Sequence, residues 1–359
     1  MSKMENKVID SNNTSTIVII AGLVIIFAGL FQAESIVNPV LMGLFLSIIT
    51  AQPILWLQNK KVPIGVAILI VLAVEVVVFF GLANIIGNSF SDFSSNTRVY
   101  EENLNQMWQS FMLYLNDKGI AFTGENLSTA FNPTKILGYT SGALNELGGV
   151  LGNSITIFFL SLFLILEMDS FSLKLKAIAQ NTSFTLDFLT TIGNSIRKYL
   201  FIKTLTSLLT GFIIWICLKI VGVDYAIIWA LIAFLLNYIP NIGSILAAFP
   251  AILFALIQLG LGGAIWTGVI FLAANMVIGN AVEPKMMGKG LGLSTYIVFV
   301  ALLFWGFILG IVGMFLSVPL TMACKIVFEQ NKKTKWMAVL LGNDEDTKRA
   351  LYENAKNEE

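Results

Sequence analysis

The chain has 359 residues, of which 56% are hydrophobic and 12% charged, and its mean hydropathy is +0.80. Soluble domains contain about 45–50% apolar and about 25% charged residues, so a soluble protein is excluded and a membrane protein is predicted. The 22 basic and 22 acidic side chains balance, which gives no sign of nucleic-acid binding. Because the sequence has no histidine and no Walker A pattern, we expect no metal site, no cofactor, no ATPase and no enzymatic activity.

The apolar runs predict an all-α polytopic membrane protein with about six full transmembrane helices. These runs cover approximately residues 16–33, 36–57, 62–86, 150–166, 200–221 and 263–278. A polar tail, residues 1–14, precedes them, and a charged tail, residues 329–359, follows them.

Residues 87–149, between the third and fourth spans, are more polar. Apolar residues recur there at helical spacing from residue 93 to residue 115, which predicts an amphipathic helix outside the hydrocarbon. Such a helix either caps a pore, contacts another copy of the chain, or lies on the membrane surface. A second amphipathic segment precedes the fifth span, within residues 150–199.

Residues 200–328 are predicted to be the transport core, because polar breaks interrupt their apolar segments. The first break is NYIPNIGS, residues 237–244, and a later one is centred on Gly310. Lipid cannot satisfy free backbone groups, so such breaks persist at membrane depth only inside protein or beside a watery cavity. Each break predicts a helical hairpin, which either spans the membrane or enters it and returns. If both enter, their tips meet near the midplane and form the barrier to a solute.

Lysine and arginine in the short loops fall on one side of this arrangement, which identifies that side as cytoplasmic. Both termini are then cytoplasmic, and residues 87–149 are extracytoplasmic. The residues that set this orientation are Lys60, Lys61, Lys174, Lys176, Arg197, Lys198, Lys285, Lys289, Lys325, Lys332, Lys333 and Lys335.

The side chains at the first break suit a neutral, hydroxyl-rich solute, because amides both donate and accept hydrogen bonds. Asn237 and Asn241 flank Pro240 there. The same residue types also cap helices and form turns, so both interpretations stay open. The candidate substrate pathway comprises Asn237, Pro240, Asn241, Gly243 and Ser244 at the first break, with Gly310, Gly313 and Pro319 in the second hairpin.

A charged, glycine-rich loop before the second hairpin is a candidate cytoplasmic gate or hinge. Its glycines permit positive φ and close backbone approach. The alternative is a loop that only carries orientation-setting charge. The residues concerned are Glu283, Pro284, Lys285, Gly288, Gly290 and Gly292.

Glu75 is the one carboxylate deep in a predicted span. An ionised carboxylate there costs about 2.5–3.5 kcal/mol, so Glu75 is either an ion-coupling group or a protonated, hydrogen-bonded packing residue. Glu167 and Asp169, after the fourth span, are further coupling candidates. Lys203 and Lys219, near the two ends of the fifth span, are expected to reach the lipid headgroups.

Three motifs resemble the autoinducer-2 exporter family: FLLNYIPNIGSILAAFP (234–250), GNAVEPKMMGKGLGLST (279–295) and FWGFILGIVGMFLSVPLTMACKI (304–326). The resemblance implies a bacterial inner-membrane transporter that exports autoinducer-2, a small furanosyl signal, without ATP. Other family members are described as sodium or lithium/proton antiporters. By resemblance, the family's motif residues are Asn237, Pro240, Asn241, Gly243, Glu283, Pro284, Gly288, Gly290, Gly292, Gly310, Gly313 and Pro319.

Three functions are therefore open. The first is export of a small signal molecule, and the second is exchange of a monovalent cation for protons through Glu75, Glu167 or Asp169. The third is a membrane scaffold that assembles through residues 87–148. The expected partners are the signal molecule or a cation and proton, the lipid bilayer, and further copies of the chain in a homo-oligomer.

Overall fold

The computed structural model describes residues 11–118, 154–168, 186–287, 292–331 and 333–344, with positions 138, 139, 142, 170, 173, 174, 177, 347 and 348. The regular elements in these ranges are helices, which confirms the all-α class. They are α1 (Ser11–Gln32), α2 (Glu34–Asn59), α3 (Ile64–Asp117), α4 (Ser154–Met168), α5 (Leu186–Val221), α6 (Ala226–Leu236), α7 (Gly243–Ala274), a π-helix (Asn275–Val282), α8 (Glu283–Met287), α9 (Thr295–Glu329) and α10 (Lys335–Leu341).

Within the described ranges, five helical segments are long and apolar enough to cross a membrane. Such segments form because a helix satisfies its own backbone hydrogen bonds, which lipid cannot do. The five are Glu34–Asn59, Ile64–Asp117, Thr190–Val221, Gly243–Met287 and Thr295–Glu329. The last two fold back on themselves, as described below.

Helix α3 continues without a break from the third predicted span into the predicted amphipathic helix. Its 54 residues make it about 81 Å long, far longer than the ~30 Å hydrocarbon core. The boundary predicted near residue 86 therefore does not coincide with a helix end, because no proline interrupts α3 and Gly87 alone costs only about 1 kcal/mol.

The far half of α3 packs on the core of the protein. Its Phe93 and Tyr100 rings lie 6.2 and 5.2 Å from the ring of Phe254 in α7. Phe254 in turn lies 5.4 Å from Trp229 of α6, and both side chains are fully buried. This packing favours a helix that belongs to the core over one that lies on the membrane surface.

Helix α6 and the start of α7 form the first predicted hairpin. Helix α6 has only 11 residues, about 16 Å, which is too short to cross a bilayer. The chain then reverses through residues 237–242. The turn is so tight that a Cβ on Gly243 would lie 1.8 Å from the carbonyl oxygen of Leu236. The hairpin that the sequence predicted at this break is confirmed.

Helix α7 turns back on itself at Gly260, where φ is +73°. Ile252 Cδ1 lies 3.5 Å from the position that a Cβ of Gly268 would take. These two residues would be about 24 Å apart along a straight helix. Helix α7 is therefore a hairpin with arms 243–259 and 261–274.

Helix α9 reverses in the same way at Gly310, where φ is +59°. Trp305 Nε1 donates a hydrogen bond of 3.0 Å to Thr321 Oγ1, although the two residues are 16 positions apart. This confirms the hairpin that the sequence predicted around Gly310.

The Gly260 turn lies level with the chain that follows α5. Gln258 Nε2 donates to the carbonyl oxygen of Gly222 at 3.0 Å, and Gln258 Oε1 accepts from the backbone N–H of Asp224 at 2.8 Å. We call this end of the core the Asp224 end.

The opposite end is marked by a contact between Lys203 of α5 and Glu283 of α8, and we call it the Lys203 end. Lys203 precedes the last residue of α5 by roughly 27 Å along the helix axis. The first break lies between the two ends, because Asn237 contacts Ser207, one turn beyond Lys203.

Candidate transport site

Two side chains of the first break are bonded into the core. Asn237 is 8% exposed, and its Nδ2 donates to Ser207 Oγ at 2.9 Å. Tyr238 is 2% exposed, and its hydroxyl donates to Thr204 Oγ1 at 2.7 Å. Both bonds fasten the break to one face of α5. The geometry therefore favours a turn-forming role for Asn237.

Asn241 differs from Asn237, because it is exposed and its φ is +61°. This left-handed backbone conformation is accessible to asparagine but unfavourable for most other side chains. Gly243 closes the turn and has no room for a Cβ. Pro240 and Ser244 are half-buried at the same turn. The break thus presents one exposed amide, that of Asn241, on a tight turn.

The tip of the second hairpin lies against the start of α2. A Cβ on Gly310 would lie 2.8 Å from Glu34 Oε1. Asn38 Nδ2 donates to the same Glu34 oxygen at 3.2 Å and to the carbonyl oxygen of Leu309 at 3.2 Å. Polar side chains of α2 therefore hold the Gly310 turn, where free backbone groups need partners.

The two hairpins touch through an aromatic contact between the first break and the second arm of α9, and this contact does not involve the Gly310 tip. The ring of Tyr238 lies 4.4 Å from that of Phe315, in the second arm of α9, and 5.4 Å from that of Phe45 in α2. Gly313 and Pro319 are buried in the same arm. The expected contact between tips is wrong, because the Gly310 tip extends past the first break to reach α2.

A buried ion pair joins α5 to α8. Lys203 Nζ lies 2.7 and 2.9 Å from the two carboxylate oxygens of Glu283, and the two side chains are 6% and 16% exposed. The expectation that Lys203 reaches the headgroups is wrong, because a carboxylate satisfies its charge inside the protein. The sequence signal that was missed is a lysine in one apolar span together with a glutamate beside another span.

Part of the predicted gate loop is helical. Glu283, Pro284 and Lys285 lie in α8, directly after the π-helix. Gly292 has φ +66°, and its carbonyl oxygen accepts a hydrogen bond of 2.6 Å from Lys325 Nζ. Two other predicted gate residues, Gly288 and Gly290, lie outside the described residues.

A cavity of about 250 Å³ opens beside this gate at the Lys203 end. Lys198 and Tyr199 of α5, Met287 of α8, Gly292 and Met322 of α9 contribute to its lining. Its mixed polar and apolar walls are typical of small-molecule sites, although its volume is slightly below their usual range of about 300–1,000 Å³.

The three candidate coupling carboxylates have different surroundings. Glu75 Oε1 accepts a hydrogen bond from Thr50 of α2, and Glu75 Oε2 is buried without a partner among the described residues. Glu167 pairs with Lys174, and both side chains are at least half exposed, at 51% and 65%. Asp169 lies outside the described residues. Of the two described carboxylates, Glu75 is the one placed inside the helical body.

Comparison of the sequence with known proteins shows the family to which the chain belongs. The pattern of the AI-2E family transporters matches residues 18–333. A Haemophilus influenzae protein, named only as a transport protein, is 39% identical over 93% of this chain and 97% of its own length. The transport protein YhhT of Escherichia coli K12 is 34% identical over 94% of this chain and 97% of its own length.

The AI-2 transport protein TqsA of Escherichia coli K12 is 32% identical over 95% of this chain and 99% of its own length. These relatives are named as transport proteins and not as enzymes. The resemblance of the three motifs thus extends along nearly the whole chain. The protein belongs to the AI-2E family of transporters.

Proposed function

We propose that the protein exports a small hydroxylated signal molecule, autoinducer-2, across the bacterial cytoplasmic membrane without an ATPase of its own. The similarity to TqsA, which is named for AI-2 transport, supports this substrate. The observation that carries the proposal is the exposed Asn241 amide at a polar break within a largely apolar helical core. An amide at such a break can donate to and accept from the hydroxyl groups of a neutral solute.

The proposed pathway runs from the cavity beside the gate at the Lys203 end, past the break, to the Asp224 end. Tyr238, stacked on Phe315, closes it at the level of the break. The ion pair of Lys203 and Glu283 holds the gate at the entrance. Solute passage then requires the aromatic contact between the two hairpins to open. Asn241 offers the solute its first hydrogen bonds beyond the gate.

This role of Asn241 is tested by comparing Asn241→Gly with Asn241→Ala. Glycine accepts a φ of +61° without strain, whereas alanine costs about 1–2 kcal/mol in this conformation. If the amide contacts the solute, both variants should lower export by roughly five- to tenfold, the effect of one lost hydrogen bond. The measurement is efflux of labelled autoinducer-2, normalised to membrane-inserted protein. Wild-type efflux by Asn241→Gly would show that the Asn241 amide does not contact the solute and that the residue only forms the turn.

We infer that both termini and the Lys203 end face the cytoplasm, because the lysines and arginines of the short loops collect on that side. The Asp224 end and the far half of α3 then face outward. Exposed apolar side chains on that half, Phe111, Leu113 and Tyr114 at 50%, 70% and 61%, support a homo-oligomer.

Exchange of a monovalent cation for protons is the second candidate function, and the surroundings of Glu75 favour it. A carboxyl group bonded to Thr50, with its second oxygen buried and unpartnered among the described residues, is suited to binding a proton. Glu75→Gln keeps the shape and cannot ionise. An antiporter should lose sodium-dependent proton movement in this variant, whereas export of a neutral solute should fall less than about twofold, because no contact with the solute is lost. Unchanged proton movement would remove Glu75 from any coupling mechanism.

A further inference from the structure

A polar groove of about 470 Å³ lies at the Asp224 end of the core, away from the pathway residues assigned above. One wall is a face of α3 that carries Asp92, Asn96 and Asn103. The facing wall carries Asp224, from the turn between α5 and α6, and Gln258, from the first arm of α7. The volume falls within the range of about 300–1,000 Å³ that is typical of small-molecule sites.

The α3 wall is a regular helical face. Positions 92, 96 and 103 are separated by four and seven residues, so they share one side of the helix. The neighbouring side carries Phe93 and Tyr100, which pack on Phe254 and hold α3 against the core. Asn103 is half-buried in the groove, and no group in the described part of the chain bonds its amide. That amide is available to a ligand.

The facing wall is fixed by hydrogen bonds. Gln258 binds the backbone N–H of Asp224 at 2.8 Å, and Trp229 Nε1 donates to the Asp224 carbonyl oxygen at 3.1 Å. Tyr100 Oη lies 3.4 Å from Asp224 Oδ2. These contacts hold the Asp224 carboxylate at the mouth of the groove, where it needs little rearrangement to accept a hydrogen bond.

The lining groups favour a ligand that carries hydrogen-bonding groups and no negative charge. Two carboxylates and the Asn103 amide supply acceptors and donors, the amides of Asn96 and Gln258 are already partly used by backbone groups, and Tyr100 and Tyr225 add aromatic surface. No lysine or arginine is among the described lining residues, so no cationic side chain among them would neutralise the charge of an anionic ligand. We propose that the groove binds a neutral, hydroxyl-rich solute of about the size of one sugar ring. This inference rests on the proposed export function and adds a binding subsite for the same solute at the outward end.

The test is protection of an introduced cysteine from a maleimide. The chain has only Cys217 and Cys324, so replacing both by alanine gives a cysteine-free background. Asn96→Cys places a thiol in the groove, and Ser94→Cys is the matched control, two residues away on an exposed part of α3 outside the groove. Labelling rates are measured on the full-length protein in detergent, with autoinducer-2, ribose, ribose 5-phosphate or sodium chloride.

Autoinducer-2 or ribose should slow labelling of Asn96→Cys at least fivefold with saturation, while Ser94→Cys labels at an unchanged rate. Equal rates with and without both solutes would overturn the proposal. So would equal protection by ribose 5-phosphate, because the site would then not discriminate against an anion. Protection by sodium chloride alone would also overturn it, because the site would then bind an ion. Flux of autoinducer-2 into proteoliposomes is measured separately. Flux of autoinducer-2 without protection would reject the groove as a binding site and leave the export function standing. Protection without flux would support the groove as a binding site and reject the export function.

Discussion

Replacing Glu283 by glutamine is expected to destabilise the protein by about 3–5 kcal/mol, because it leaves the Lys203 ammonium buried without its counter-charge. The pair is 6% and 16% exposed, and both carboxylate oxygens bind the lysine. The measurement is thermal unfolding of the purified protein in detergent, followed by tryptophan fluorescence. The control is Glu102→Gln, which removes the exposed pair with Arg98, whose side chains are 89% and 64% exposed. That change should cost less than about 1 kcal/mol.

The double variant Lys203→Met with Glu283→Gln separates stability from gating. With both charges removed, no unpaired charge is buried, so stability should return to within about 1 kcal/mol of the wild type. Export should still change at least severalfold if the pair holds the gate between α5 and α8. Equal destabilisation in the single and double variants would show that the two charges do not act as a pair.

Replacing Gly313 by alanine is expected to prevent normal folding of the second hairpin. The added Cβ would lie 1.9 Å from the backbone oxygen of Trp305, which cannot move away as a flexible side chain would. Overpacking in a core costs about 1–3 kcal/mol, and a clash with backbone should exceed that range. We expect little monodisperse protein on size-exclusion chromatography after extraction from the membrane.

The matched control is Gly268→Ala in the other folded-back helix. There the new Cβ would meet Ile252 Cδ1 at 3.5 Å, an ordinary van der Waals distance. This variant should express and elute as the wild type does. If Gly313→Ala also behaved as the wild type, the two arms of α9 could not be as close as described here.

The positions of the hairpins could be predicted from sequence because their causes are local. Gly310 in the second hairpin, and Pro240 followed by Asn241 and Gly243 at the first break, all disfavour a continuous helix. The length of α3 was missed for the opposite reason. Its sequence changes from apolar to polar near residue 86, and this change alters the surroundings of the helix without ending it.

The contacts that define the candidate site could not be predicted, because they join residues far apart in sequence. Lys203 and Glu283 are 80 positions apart, and each alone resembles a surface charge near a membrane interface. Tyr238 was visible only as part of the first break, and its stacking on Phe315 depends on how two hairpins meet. The groove at the Asp224 end likewise needs α3 to pack on the core.

The most direct test of the exporter assignment uses proteoliposomes that contain only this protein. Labelled autoinducer-2 and internal pH are followed together, with and without a sodium gradient. We expect saturable flux of the signal molecule with no sodium-dependent pH change, and a roughly five- to tenfold lower flux for Asn241→Gly. A sodium-driven pH change without signal flux would contradict this expectation and assign the protein to cation/proton exchange.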